Sequence, residues 1–80
     1  MANATRLRYE VWASLTGSAL NWSRVEKGWY VGEPEHNELN KQRALERANE
    51  LSATYGKVCV EEWDADRNVF LRTVREYPNI

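Results

Sequence analysis

Lys57-Val58-Cys59-Val60-Glu61-Glu62-Trp63 is followed by Asp64-Ala65-Asp66-Arg67-Asn68 and then by Val69-Phe70-Leu71-Arg72-Thr73-Val74-Arg75. Two runs rich in β-branched and aromatic residues flank a polar break. Asp and Asn tolerate turn geometry and bond their own backbone, so residues 57–76 read as a β-hairpin. With the loop at 64–67, Trp63 faces Asn68, and Val58 and Val60 share a face with Val69, Leu71 and Thr73. Pro78 ends the second strand because it lacks the N–H a ladder needs. Immediately upstream, residues 38–55 read as the one long helix. Ala44, Ala48, Leu51 and Tyr55 form its apolar stripe, flanked by Leu45 and Ser52, with Lys41, Arg43, Glu46, Arg47, Asn49 and Glu50 on the wet side. Asn37 is the expected N-cap, with Asn40 as its rival, and Gly56 suits the residue that closes the helix. At the start of the chain, Leu7, Tyr9, Val11 and Ala13 alternate with Arg6, Arg8, Glu10 and Trp12, a strand pattern over 5–14. Between them, Thr16-Gly17-Ser18 is turn chemistry and 32–36 a Gly- and Pro-containing loop, with a second strand expected near 23–31.

The order predicts an α+β fold over a single domain, 1–80: one helix packed on a small antiparallel sheet of three to four strands, β-(β)-α-β-β. The helix contributes Ala44, Leu45, Ala48 and Leu51 to the core, and the sheet Leu7, Tyr9, Val11, Val58, Val60, Val69 and Leu71. A chain of 80 residues buries about 60–65% of its unfolded surface. That accommodates one modest core and leaves little room for a deep enclosed cavity. Two-lobed dehydrogenases and kinases are excluded on size.

With 42% hydrophobic and 29% charged residues the chain should fold and not remain disordered. Eleven Lys and Arg against twelve Asp and Glu, net charge −1, argue against a general nucleic-acid coat, which needs a basic excess. The charge is segmented. Glu33, Glu35 and Glu38 dominate 32–40, and Glu61, Glu62, Asp64 and Asp66 outnumber Lys57 and Arg67 in 57–68. The single Cys59 makes no internal disulfide, no apolar run of about 18 residues suggests a membrane span, and Met1–Arg6 lacks a signal-peptide core. Cytoplasm is the default expectation.

The sheet face away from the helix is the candidate contact surface. It should carry Arg6, Arg8, Glu10 and Trp12, then Cys59, Glu61 and Trp63, then Phe70, Arg72 and Val74. Trp and Arg are enriched at interface hot spots, and an uncovered apolar patch marks a contact site. The aromatic candidates for partner binding are Trp12, Trp63, Phe70, Arg72 and Arg8. The acidic candidates are Glu33, Glu35, Glu38, Glu61, Glu62, Asp64 and Asp66. In the structural alternative, Trp22, Trp29 or Tyr30 folds back over Trp12, Trp63 and Phe70 as a second small core.

Enzymatic chemistry finds no support. His36 lies among Glu33, Glu35 and Glu38 but lacks a second His or a Cys at ligand spacing. Asp64-Ala65-Asp66-Arg67-Asn68 resembles the start of a calcium loop, yet Val69 stands where that loop needs Gly and Arg75 where it needs Glu. Cys59, between two valines, reads as a structural thiol. No nucleophile elbow, P-loop or dinucleotide fingerprint is present, and no catalytic residue, cofactor or metal is expected.

The alternating Arg6–Ala13 strand, the Ala44-x₃-Ala48-x₂-Leu51 helix running into Tyr55-Gly56, and the Trp63-Asp64 hairpin cover about two-thirds of the chain. In these features the chain resembles small phage and prophage accessory proteins of the anti-CRISPR inhibitor kind. The resemblance implies a non-enzymatic protein that blocks a host protein stoichiometrically in the host cytoplasm, in its sharpest form a Cas subunit of a type I surveillance complex. It transfers no functional residue, because no motif aligns position by position. Two other classes are carried with it: a single-stranded nucleic-acid module stacking bases on the aromatic face, opposed by Glu10, Glu61, Asp64 and Asp66, and a small homo-oligomeric structural protein, a homodimer closing the sheet face.

Overall fold

The computed structural model describes residues 5–14, 23–24 and 30–77. Its strands are β1 (Leu7–Ser14), β2 (Ser23–Arg24), β3 (Tyr30–Val31), β4 (Lys57–Asp64) and β5 (Val69–Tyr77). A 3-10 turn, Pro34–His36, leads into the helix α1 (Asn37–Leu51). The sheet is antiparallel. β1 and β4 are central, β5 forms one edge, and β2 and β3 both pair with the far side of β1. This is the expected α+β layout, a single helix on a small antiparallel sheet.

The strand expected near 23–31 is present as its two ends. Arg24 and Ser23 pair with Trp12 and Ala13, while Val31 and Tyr30 pair with Arg8 and Tyr9. Residues 15–22 and 25–29 lie outside the described residues, and Trp22 and Trp29 with them. Tyr30 packs against the core under the helix, so it does not fold over the other face.

The helix begins where Pro34 presets the first turn. Asn37 is not its cap: the cap position is His36, with no side-chain hydrogen bond. Asn37 instead holds the entry to β1, accepting the Leu7 N–H on Oδ1 at 3.1 Å and donating Nδ2–H to the Thr5 carbonyl at 2.7 Å. Asn40 is buried within the helix and is no cap either. The helix stops at Leu51, short of the expected Tyr55, and Gly56 donates its N–H to the Ser14 carbonyl at 3.1 Å, tying the turn to the end of β1.

The core holds Tyr9, Val11 and Ala13 from β1, Ala44, Ala48 and Leu51 from α1, and Val58 and Val60 from β4, with Tyr55, Val74 and Tyr77 packed at its margin. Ala44 and Ala48 have no exposed surface, which lets the helix backbone lie close to the sheet. Packing at this density leaves no space for added methylenes. Ala48→Leu should therefore cost about 1–3 kcal/mol, read as a lower urea midpoint at unchanged slope.

Two expected core residues, Val69 and Leu71, are exposed at 47%. Val69 keeps the helix-side face but lies beside the turn, opposite Asp64, whereas Leu71 is displaced by register. The turn occupies Ala65–Asn68, Asn68 takes φ 57°, and Trp63 faces Phe70 instead of Asn68. Two irregularities follow: Glu62 pairs with Arg72 and Trp63 with Phe70, then Val60 with Arg75 and Glu61 with Thr73. Each places an extra residue, Leu71 and Val74, in β5. A bulge shifts the alternation by one residue and bends its strand. Thr73 thus moves to the face away from the helix and Arg72 to the helix side, and the second bulge restores the alternation, leaving Arg75 on the helix side. Bulges and charges on an outer strand also oppose strand addition from another molecule.

Candidate functional site

Alternation along β1 directs Arg8, Glu10 and Trp12 away from the core. Register sets Trp63, Glu61 and Cys59 of β4 directly opposite them, and Phe70, Thr73 and Glu76 of β5 beyond. At one end of this face, Trp63 and Phe70 meet edge to face with centroids 5.7 Å apart and planes at 75°. The Arg8 guanidinium lies 4.9 Å from the Trp63 ring centre. It also donates to Glu10 Oε2 at 3.0 Å and to Asn68 Oδ1 at 2.9 Å. The cation therefore fixes one face of Trp63, while Phe70 stands 45% exposed beside it, followed in β5 by the bulged Leu71.

In the middle, Glu10 and Glu61 are directly opposed. Like charges facing across strands repel, so both carboxylates need donors. Glu10, 3% exposed, receives Arg8 and the Trp12 indole N–H at 3.2 Å. Glu61 receives the Trp63 indole N–H at 3.0 Å. The same Glu-x-Trp spacing serves both strands, in Glu10-Val11-Trp12 and in Glu61-Glu62-Trp63. Residues two apart on a strand share a face, so this repeat is the sequence signal for the network.

At the other end lies a cleft of about 280 Å³ lined by Trp12, Cys59, Glu61, Thr73 and Glu76. Cys59 is 7% exposed. Burial pushes its thiol up to about 12, with the Glu61 and Glu76 carboxylates adding to the effect. A thiol held protonated at neutral pH is neither nucleophile nor ready metal ligand. Trp12, Cys59 and Glu61 are expected on this face from alternation; the cleft joins them and adds Thr73 and Glu76.

The other named residues sit elsewhere. Arg72 is not part of the aromatic face. The bulges carry it to the helix side, where its Nε–H donates to Glu62 Oε1 at 3.1 Å. Glu62 is buried and also accepts the Tyr9 hydroxyl at 2.7 Å, an internal anchor and not a docking carboxylate. That burial and the Glu62 charge raise the Tyr9 pKa. Asp64 Oδ1 caps the hairpin turn, accepting the Asp66 and Arg67 N–H groups at 3.1 Å, and Asp66 pairs with Arg6 at 3.0 Å. Glu33, Glu35 and Glu38 are exposed around the start of α1. A second concavity, between α1 and β5, is lined by Gln42, Leu45, Glu46, Asn49, Arg75 and Tyr77, a mixture of both charges.

Among the described residues no group of three or more His, Cys, Asp or Glu side chains could hold a metal ion. Among them, too, no helix is long and apolar enough to cross a membrane. What the fold and this face define is a small one-helix α+β domain whose second sheet surface interlocks indoles, carboxylates and a buried guanidinium. Comparison with protein-family models, curated proteins and solved structures returns no match.

Proposed function

We propose that this chain is a non-enzymatic protein-binding module that occludes a partner protein through the Trp63–Phe70 end of its sheet. The observation that carries the reading is the exposed Phe70, with the bulged Leu71 next to it in β5, against a Trp63 ring held by Arg8. A rigid aromatic anchor loses little entropy on docking, and Trp with Arg is the commonest hot-spot chemistry. The sharpest form, which rests on the resemblance in size and build, is a phage-derived anti-CRISPR inhibitor of a type I surveillance complex. The carboxylates of Glu10, Glu61 and Glu76 on the same face speak against phosphate as the ligand.

A pull-down of the tagged chain from host lysate tests the surface. Trp63→Ala and Phe70→Ala are expected to lose a stoichiometric protein, at a cost above about 2 kcal/mol, roughly thirtyfold in affinity. The exposed Phe70 keeps the test free of folding defects. Capture of nucleic acid alone, or equal capture by both variants, would remove the reading.

A further inference from the structure

The cleft at the opposite end of the face has a chemistry of its own. Its polar groups are the Glu61 and Glu76 carboxylates, which only accept, and the Thr73 hydroxyl and Cys59 thiol, which can also accept. Among the described residues no basic side chain lines it. Among the described residues neither Glu61 nor Glu76 makes an ion pair, and the Cys59 thiol, more than nine-tenths buried in the cleft wall, has no hydrogen-bond partner. Trp12 spends its N–H on Glu10 and so offers the cleft only its ring. At about 280 Å³ the space falls just below that of pockets for drug-sized ligands, roughly 300–1,000 Å³, which suits one side chain better than a cofactor.

From this arrangement we infer that the Trp12–Glu61–Glu76 cleft receives an arginine side chain of the partner protein. A guanidinium presents five N–H donors in one plane. It stacks on an indole through that plane and forks onto carboxylates at its edge, which a compact ammonium cannot do at once. Two negative groups beside a desolvated wall strengthen the attraction, and the upward push they exert on the Cys59 thiol reports the same negative field. The inference rests on the protein-binding reading and deepens it: the aromatic end supplies the apolar anchor, and the cleft fixes orientation through charge.

The test needs no partner. N-acetyl-arginine methylamide is titrated into the labelled full chain while the Trp12 indole N–H and the Thr73 amide are followed by NMR, with the isosteric, uncharged citrulline analogue in parallel. Saturable shifts at both positions with the arginine probe, absent with citrulline, are expected. Glu76→Gln, on the exposed edge strand, should weaken the response at least fivefold with the rest of the spectrum unchanged, and Glu61→Gln/Glu76→Gln should abolish it. Equal shifts with citrulline, shifts that never saturate, or an unaltered response in Glu76→Gln would overturn the inference. Because Trp63 and Phe70 play no part in this titration, its failure leaves their pull-down result standing, and the two failures are told apart.

Discussion

Arg8→Ala is expected to destabilise the domain by about 3–5 kcal/mol, the largest single-residue loss in the molecule. Arg8 and Glu10 are buried with side chains 7% and 3% exposed, their Nε and Oε2 atoms 3.0 Å apart. Removing the guanidinium takes the counter-charge from a carboxylate that water barely reaches, opposite a second carboxylate at Glu61. The charge-assisted contact is the stronger kind of hydrogen bond, so its loss is felt even though Glu10 keeps other interactions, the Trp12 N–H among them. The loss also releases Trp63, whose ring the guanidinium covers. Since small domains are stable by only about 5–15 kcal/mol, urea unfolding should show a midpoint displaced far towards zero. Replacing both partners, Arg8→Met with Glu10→Leu, should restore most of the loss, because a buried pair is worth little net against apolar isosteres. A decrease below about 1 kcal/mol in Arg8→Ala would mean the pair is screened as a surface pair is.

Alkylation of Cys59 by iodoacetamide at pH 8 should be about a thousandfold slower in the folded protein than in urea. The thiolate is the nucleophile, and a thiol whose pKa is about 12 is ionised some three orders of magnitude less at that pH than a free one near about 8.5. The same shift gives stability a direction with pH. The folded state holds the proton that the unfolded chain releases, so the contribution is complete below about 8.5. It is lost as pH rises towards about 12. Tyr9, raised in the same direction, adds to the decline above its ordinary pKa of about 10. Melting temperature should therefore fall through the alkaline range, and Cys59→Ala should flatten the first part of that fall. Rapid alkylation of the native protein would mean that the thiol is exposed.

The sequence made β1, α1 and the hairpin legible because each follows one period. Leu7 to Ala13 alternate, Ala44, Ala48 and Leu51 recur at helical spacing, and Asp64 to Asn68 interrupt two β-prone runs. What alternation could not reveal is a residue that breaks it. Leu71 and Val74 enter β5 as extra residues with ordinary strand chemistry, so nothing in their identity marks a bulge. The first insertion brings Thr73 to the outer face and takes Arg72 from it to Glu62. For the same reason alternation reveals the outer face at Arg8, Trp12, Cys59, Trp63 and Phe70, whereas the Thr73–Glu76 side of the cleft depends on β5 register and is hidden from it. Asn37 shows a second limit. A residue type suited to capping a helix served instead to hold the neighbouring strand, a choice made by tertiary contact.

Calorimetric titration of the chain and of Trp63→Ala into a purified type I surveillance complex tests the central proposal most directly. A stoichiometric complex with the unaltered chain, weakened at least thirtyfold by Trp63→Ala while the variant's amide spectrum stays folded, is the predicted result. No complex at micromolar concentration would contradict the anti-CRISPR form of the account, and equal affinity of the variant would contradict the assignment of Trp63 as its anchor.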